Sequence, residues 1–134
     1  MNPISGTLET VLYAADVRAA AAFYTEILGF TVASDMDTLS VALRVSPNQV
    51  LLIFNPKESS VPGRVVPSHG ATGPGHVAFL IHPADYDDWL ARLQGAGVDI
   101  EQEQTWRDGH RSIYLRDPAD NSVELITADI WNRG

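Results

Sequence analysis

The two halves of the chain show the same succession of strand-like and helix-like patterns of apolar and polar residues. Residues 8–15 alternate and are rich in β-favouring side chains, which predicts a strand. Apolar residues then recur at helical spacing, and this predicted helix begins after the capping residue Asp16 and ends at Gly29, which suits a left-handed exit position. Short strands are predicted at 30–34, 39–45 and 49–55. The first half therefore has the predicted order β, α, β, β, β.

The second half repeats this order. A strand is predicted at 76–81, followed by a helix that begins at Pro83, because proline suits the first helical turn, and ends at Gly95 and Gly97. Strands are then predicted at 98–106, 111–116 and 122–128. The last strands of the halves also align by sequence, residues 48–53 with 121–126, so that Leu51 corresponds to Glu124. Because an internal repeat decides the fold, we expect a single domain of two βαβββ modules, at about 7–56 and 74–130.

The segment between the modules, about 57–73, is rich in Pro, Gly and Ser and is predicted to be a linker or mobile flap. A chain of 134 residues is long enough for one domain without disulfides, and it contains no cysteine, which excludes thiolate chemistry. The net charge of −8 argues against nucleic acid as a partner. No signal peptide or membrane-spanning run is apparent, so we expect a cytoplasmic protein.

Three stretches carry a resemblance to a known family: ETVLYAADVRAAAAFYTEILGF, GPGHVAFLI and SIYLRDPADNSVELIT. In order and spacing they resemble the vicinal oxygen chelate superfamily, which includes glyoxalases, bleomycin resistance proteins and extradiol dioxygenases. The resemblance implies an α+β fold in which two βαβββ modules form a curved mixed sheet cup around a metal or a small molecule. It also implies a homodimer.

The resemblance further implies a divalent-metal site. The family takes ligands from the first and last strands of each module, and these positions correspond here to Glu9, His76 and Glu124. The fourth position, a carboxylate in glyoxalase I enzymes, corresponds to Leu51. Two carboxylates and one imidazole suit Mn, Fe, Ni, Co or Zn without choosing among them.

Strand alternation and the cost of burying charge also predict this site, independently of the family. If the strand faces that carry Glu9, His76 and Glu124 meet, two carboxylates share an apolar cup. Burial of an unpaired carboxylate costs several kcal/mol, so the pair needs a cation, an Arg partner or a proton. The structural alternatives are an edge strand that holds Glu9 in water and a core histidine at position 76.

Further polar and aromatic residues are candidates for substrate binding. Trp106, Arg111, Ser112 and Tyr114 combine an aromatic ring, a cation and hydroxyls near the Glu124 strand, and Tyr13 alternates with Glu9. Ser112 and Tyr114 also correspond to substrate-site hydroxyls in fosfomycin-resistance proteins, and Arg133 corresponds to their phosphonate-binding arginine. Those proteins have a histidine where this chain has Glu9. His69 and His82 are expected to be structural or exposed.

Our leading hypothesis is a metal-dependent lyase, dioxygenase or transferase whose small substrate chelates the ion through neighbouring oxygens. In an isomerisation, Glu124 or Glu9 is the expected proton carrier, as the resemblance suggests. The rival hypotheses are a metal-free protein that sequesters a small aromatic molecule, as bleomycin resistance proteins do, and a fosfomycin-resistance-like transferase.

Overall fold

The computed structural model describes residues 1–132 of the chain. They form two compact units, one of residues 1–73 and one that begins at Pro74, and each unit is described by itself. The boundary coincides with the start of the second predicted module. Each unit contains a four-stranded mixed sheet with a helix between its first two strands. The α+β fold predicted from the repeat is confirmed.

The first unit has the predicted element order, with a short additional helix after its last strand. Its elements are β1 (Glu9–Tyr13), α1 (Val17–Ala22), β2 (Thr31–Val32), β3 (Ser40–Ser46), β4 (Gln49–Phe54) and α2 (Pro56–Ser59). The strands are arranged in the order β1-β4-β3-β2, with β1 and β4 parallel and the other pairs antiparallel.

Helix α1 begins and ends where the sequence predicts. The Asp16 side chain accepts a hydrogen bond from the Ala19 amide at 3.0 Å, which satisfies one free donor of the first turn. After Ala22 the helix continues as a π-helical turn over Phe23–Ile27, which the apolar spacing did not predict. The chain leaves this turn through Gly29 at φ 82°, a conformation that glycine adopts without a Cβ clash.

The segment predicted to be a linker or flap is hydrogen-bonded to itself. The Ser59 hydroxyl, which is fully buried, donates to the His69 carbonyl at 2.7 Å, and the His69 amide donates to the Ser59 carbonyl at 2.9 Å. The His69 ring lies edge-on to Phe54 with centroids 4.6 Å apart. These contacts hold residues 59–69 against the end of β4.

The second unit repeats the architecture. Its elements are β5 (His76–Leu80), α3 (Tyr86–Gly95), β6 (Gln102–Thr105), β7 (Arg111–Arg116) and β8 (Ser122–Ile126), with 3₁₀ turns at Pro83–Asp85 and Arg107–Gly109. The strand order is β5-β8-β7-β6, with only β5 and β8 parallel. His82 caps the turn before α3 by accepting from the Ala84 amide, so its predicted helix-start position is confirmed.

The sheet register corrects the alignment of the two repeats by one residue. Glu9 pairs with Val50, and His76 pairs with Ser122. Val50 is therefore equivalent to Ser122, and the residue equivalent to Glu124 is Leu52 rather than Leu51. Leu51 is fully buried on the opposite face of its sheet, because successive residues of a strand point to opposite sides.

Candidate functional site

Polar side chains of β5, β7 and β8 lie together on one face of the second sheet. Alternation along β8 places Ser122 and Glu124 on the same side, and the register puts His76 beside Ser122 and Tyr114 beside Glu124. Ser112, two residues before Tyr114, is on this side too. We call His76, Ser112, Tyr114, Ser122 and Glu124 the polar face. The opposite face has an apolar centre of Val123, Leu125, Ile113 and Leu115, all buried.

Glu124 and His76 form the centre of the polar face. His76 Nε2 lies 3.4 Å from Glu124 Oε1, and the two side chains expose 52% and 9% of their surface respectively. A carboxylate this buried requires a charged or hydrogen-bonding partner. The pair therefore combines a buried anion with a ring that remains accessible from solvent.

The backbone of β8 orients the His76 ring. His76 Nδ1 lies 3.1 Å from the Ser122 carbonyl and 3.2 Å from the Ser122 hydroxyl. Because a carbonyl only accepts, this contact is a hydrogen bond when the proton is on Nδ1, and Nε2 then presents its lone pair toward Glu124. Two electron-pair donors at 3.4 Å need a second proton or a cation between them.

Ser112 and Trp106 hold the other oxygen of Glu124 through two hydrogen bonds. The Ser112 hydroxyl donates to Glu124 Oε2 at 2.6 Å, and Trp106 Nε1 donates to Ser112 Oγ at 2.8 Å. Ser112 is fully buried. Its hydroxyl is bonded to the carboxylate, and its contact with substrate stays a prediction.

Tyr114 lies next to Glu124 on the neighbouring strand. Burial, followed by the hydrogen bond and the negative charge of Glu124, raises the pKa of the Tyr114 hydroxyl above its usual value, while Ser112 acts in the opposite direction. The hydroxyl is therefore protonated at neutral pH, and its proton is donated to the Glu124 carboxylate.

Arg111, predicted to belong to this group, lies on the opposite face of the sheet. Its guanidinium is 3.7 Å from the centroid of the Tyr86 ring on α3, and it approaches Asp87 at 3.9 Å. Consecutive strand residues cannot point to the same side, so Arg111 and Ser112 are separated by the pleat. The structure does not bring Arg111 together with Glu124.

Glu9 and Tyr13 lie in the first unit, on the same side of β1. Glu9 is exposed, and Tyr13 is half-buried with its hydroxyl 2.6 Å from His69 Nδ1. Within residues 1–132, no group of three or more His, Asp or Glu side chains is placed to hold a metal ion. Arg133 lies outside the described residues. None of the helices in residues 1–132 is long and apolar enough to cross a membrane.

The family can now be assigned by comparison with known proteins. Residues 6–125 match the model of the Glyoxalase/Bleomycin resistance protein/Dioxygenase superfamily. The chain belongs to this superfamily. The predicted resemblance is thereby confirmed over nearly the whole length of both repeats.

Several superfamily members are similar to this chain. A lactoylglutathione lyase from Agrobacterium tumefaciens is 38% identical, with a TM-score of 0.88 over 93% of this chain and 95% of its own. The metallothiol transferase FosB of Bacillus licheniformis is 34% identical over 59 residues, a segment that spans 43% of this chain and only 38% of FosB. A fosfomycin resistance protein, FosX from Listeria monocytogenes, was solved with Mn(II); at 22% identity and a TM-score of 0.71, over 96% of this chain and 94% of its own, it shows the fold alone.

Superfamily members bind small molecules, commonly form dimers and include enzymes that use divalent metals. Two features of the site in this member were not predicted. The first is the Ser122 carbonyl as partner of His76, because a backbone group leaves no mark in the residue pattern. The second is the role of Trp106 as a donor to Ser112, because an aromatic residue before a hairpin is equally compatible with packing.

Proposed function

We propose that this protein is a divalent-metal-dependent enzyme whose small substrate binds the metal through adjacent oxygens. The observation that carries the proposal is the approach of His76 Nε2 to Glu124 Oε1 at 3.4 Å with the far ring nitrogen against a carbonyl acceptor. Two ligand atoms that are each about 2.1 Å from one ion, at a roughly tetrahedral angle, are about 3.4 Å apart. The spacing of this pair therefore suits a metal without rearrangement.

His76 and Glu124 of the second unit would hold the ion, and the family resemblance assigns Glu9, the first-repeat equivalent of His76, as a further ligand. One carboxylate fixed by Ser112, one imidazole oriented by Ser122 and a second carboxylate make a donor set that Mn, Fe, Ni, Co and Zn accept. A bound divalent ion supplies Lewis-acid stabilisation of developing negative charge on the substrate's oxygens.

The other residues act on the substrate directly. The Tyr114 hydroxyl, which is hydrogen-bonded to Glu124, would contact a substrate that binds beside that carboxylate. Glu9 is the better candidate for the proton carrier, because it is exposed whereas Glu124 Oε2 is tethered by Ser112. Tyr13 lies on the same side of β1 as Glu9, and its hydroxyl is bonded to His69.

The similarity to the lactoylglutathione lyase favours a lyase or isomerase over the other reaction types, since it covers nearly the whole of both chains. The absence of a carboxylate at the Leu52 position argues for a substrate or ligand arrangement different from that of standard glyoxalase I enzymes. A thiol transferase is the second candidate, supported by the partial match to FosB. We further propose that the protein is cytoplasmic and a homodimer. Sedimentation analysis of the purified protein tests the dimer.

The metal proposal is tested by elemental analysis of protein purified without chelators or added metal. The wild type should retain close to one equivalent of a divalent metal per chain. Glu124→Gln and His76→Ala should each reduce retention at least tenfold, because each removes a ligand, and Glu9→Ala should do the same if it completes the set.

Matched controls come from exposed residues of the same types. His82→Ala removes a capping histidine and Glu26→Gln an exposed carboxylate of the α1 turn, and both should retain metal as the wild type does. Equal metal content in the wild type and in the His76 and Glu124 variants overturns the proposal. A ligand that raises Tm equally with and without chelator supports the metal-free binding protein instead.

A further inference from the structure

A chain of two hydrogen bonds leads from the β6–β7 hairpin to one buried oxygen of Glu124. Trp106 Nε1 contacts Ser112 Oγ at 2.8 Å, and Ser112 Oγ contacts Glu124 Oε2 at 2.6 Å. Ser112 exposes no surface, and Glu124 is 7% exposed. The bond between Ser112 and Glu124 is thus shielded from water, where hydrogen bonds are strongest, and the bond from Trp106 is part-buried.

The direction of each proton in this chain follows from the donor inventory. An indole N–H only donates, so the Ser112 oxygen must accept from Trp106. The single Ser112 proton is therefore given to Glu124, whose ionised carboxylate only accepts. The short 2.6 Å separation is that of a charge-assisted O–H···O⁻ bond. Trp106 thus fixes the hydroxyl rotor of Ser112 in the one orientation that serves Glu124.

We infer that Trp106 and Ser112 are positioning residues that hold Glu124 Oε2 and thereby leave Oε1 as the single oxygen presented to a metal beside His76. The inference rests on the proposed function, and it deepens it by assigning the carboxylate a one-oxygen binding mode. Both residues act through Glu124, as supporting hydrogen bonds commonly do for metal-binding carboxylates.

The first repeat provides an internal comparison. Ser40 of β3 pairs with Phe54 as Ser112 of β7 pairs with Ile126, so the two serines occupy equivalent positions. In the first repeat the position equivalent to Glu124 is Leu52, whose side chain has no acceptor for a serine hydroxyl. The serine therefore acquires the positioning role only where the carboxylate is present.

The first test needs no metal. The chain has three tryptophans, and their indole N–H groups give three resolvable signals in a ¹H–¹⁵N spectrum. The Trp106 signal, assigned by its loss in Trp106→Phe, should exchange slowly with solvent. It should shift upfield and exchange at least tenfold faster in Ser112→Ala. An unchanged Trp106 signal in Ser112→Ala overturns the inference.

The second test measures binding of Co²⁺ alone by calorimetry and by its visible absorption. Ser112→Ala should raise the Kd for Co²⁺ by about 10- to 100-fold, the usual effect of removing a hydrogen bond behind a metal ligand, and Trp106→Phe by less. The Co²⁺ spectrum should also change, because a released carboxylate binds through both oxygens. The same Kd and spectrum in both variants and the wild type overturn the inference.

Controls separate this inference from the proposed function. Ser40→Ala and Trp89→Phe change the same residue types away from Glu124, since Trp89 stacks on Arg92 of α3, and both should match the wild type. Failure of the wild type to bind Co²⁺ overturns the metal proposal and with it the metal-orienting role. A wild type that binds Co²⁺ while Ser112→Ala binds equally overturns only the present inference.

Discussion

At the scale of single residues, Tyr86 shows how one buried phenol connects α3 to its sheet. The side chain is 1% exposed, its hydroxyl donates to Glu103 Oε1 at 2.7 Å, and the Arg111 guanidinium lies over its ring. Burial and then the hydrogen bond to Glu103 raise the Tyr86 pKa from 10.0 to about 12. The phenol is consequently favoured in its neutral form in the folded protein.

This pKa predicts a loss of stability at alkaline pH. The folded state binds the Tyr86 proton more tightly than the unfolded state, so the stabilisation is complete below pH 10.0 and is lost as pH rises through the range from 10.0 to about 12. Urea unfolding of the wild type and of Tyr86→Phe at pH 8, 10 and 11 measures it. The wild type should lose more stability than Tyr86→Phe over this range. Parallel decreases in the two proteins contradict the prediction.

The residue scale is also where the sequence prediction was most uneven. Glu124 was identifiable because a carboxylate between buried Val123 and Leu125 must have a partner. Which partner it has depends on the rotation of Ser112 about its side chain, which no residue pattern records. The position of Arg111 on the side of β7 opposite Ser112 could have been predicted, because neighbouring residues of one strand point to opposite faces.

At the scale of elements, the turn between β7 and β8 fixes the strand that carries Glu124. Asn121, 2% exposed, donates from Nδ2 to Asp117 Oδ2 at 3.0 Å and accepts from the Gly75 amide at 2.8 Å. The same side chain therefore closes the turn and anchors the residue before His76. It couples β5 to β8 at the point where the two candidate ligands meet.

Asn121→Ala should lower the free energy of unfolding by about 1–3 kcal/mol, because it leaves the half-buried Gly75 amide and the buried Asp117 carboxylate without this partner. Asn48→Ala, in the exposed turn of the first repeat, should change it by less than about 0.5 kcal/mol. Chemical denaturation of both variants provides the comparison. Equal effects of the two substitutions contradict the assigned role of Asn121.

Elements whose boundaries depend on local chemistry were predictable, and those that depend on sheet geometry were not. The Asp16 cap and the Gly29 exit place α1 correctly, and β7 was predicted residue for residue. Strand β6 is limited to Gln102–Thr105 although residues 98–106 were predicted, because pairing with β7 extends only from Gln102 to Thr105. The π-helical turn at Phe23–Ile27 has the same apolar spacing as an α-helix.

At the scale of the whole molecule, duplication supplied two equivalent sheets and substitution made their faces different. The sheet position that carries Glu124 and its neighbour Tyr114 in the second unit carries Leu52 and Ala42 in the first. Only the sheet register revealed this correspondence, because alignment of the two sequences places Leu51 opposite Glu124. A shift of one residue moves every side chain of a strand to the other face of the sheet. Substitutions at neighbouring positions therefore distinguish the two registers.

Leu51→Glu and Leu52→Glu separate the two alignments. Leu51 is fully buried between its sheet and the first unit's core, so a glutamate there is an unpaired buried charge that costs several kcal/mol, a large part of the stability of a small domain. Leu52 lies half-buried on the Glu9 face, where a carboxylate can reach water. Thermal unfolding should show a native-like transition for Leu52→Glu and a much lower Tm or no cooperative transition for Leu51→Glu. The reverse order would mean that the alignment based on residues 48–53 and 121–126 is correct, and that Leu51, after all, occupies the position of the missing carboxylate.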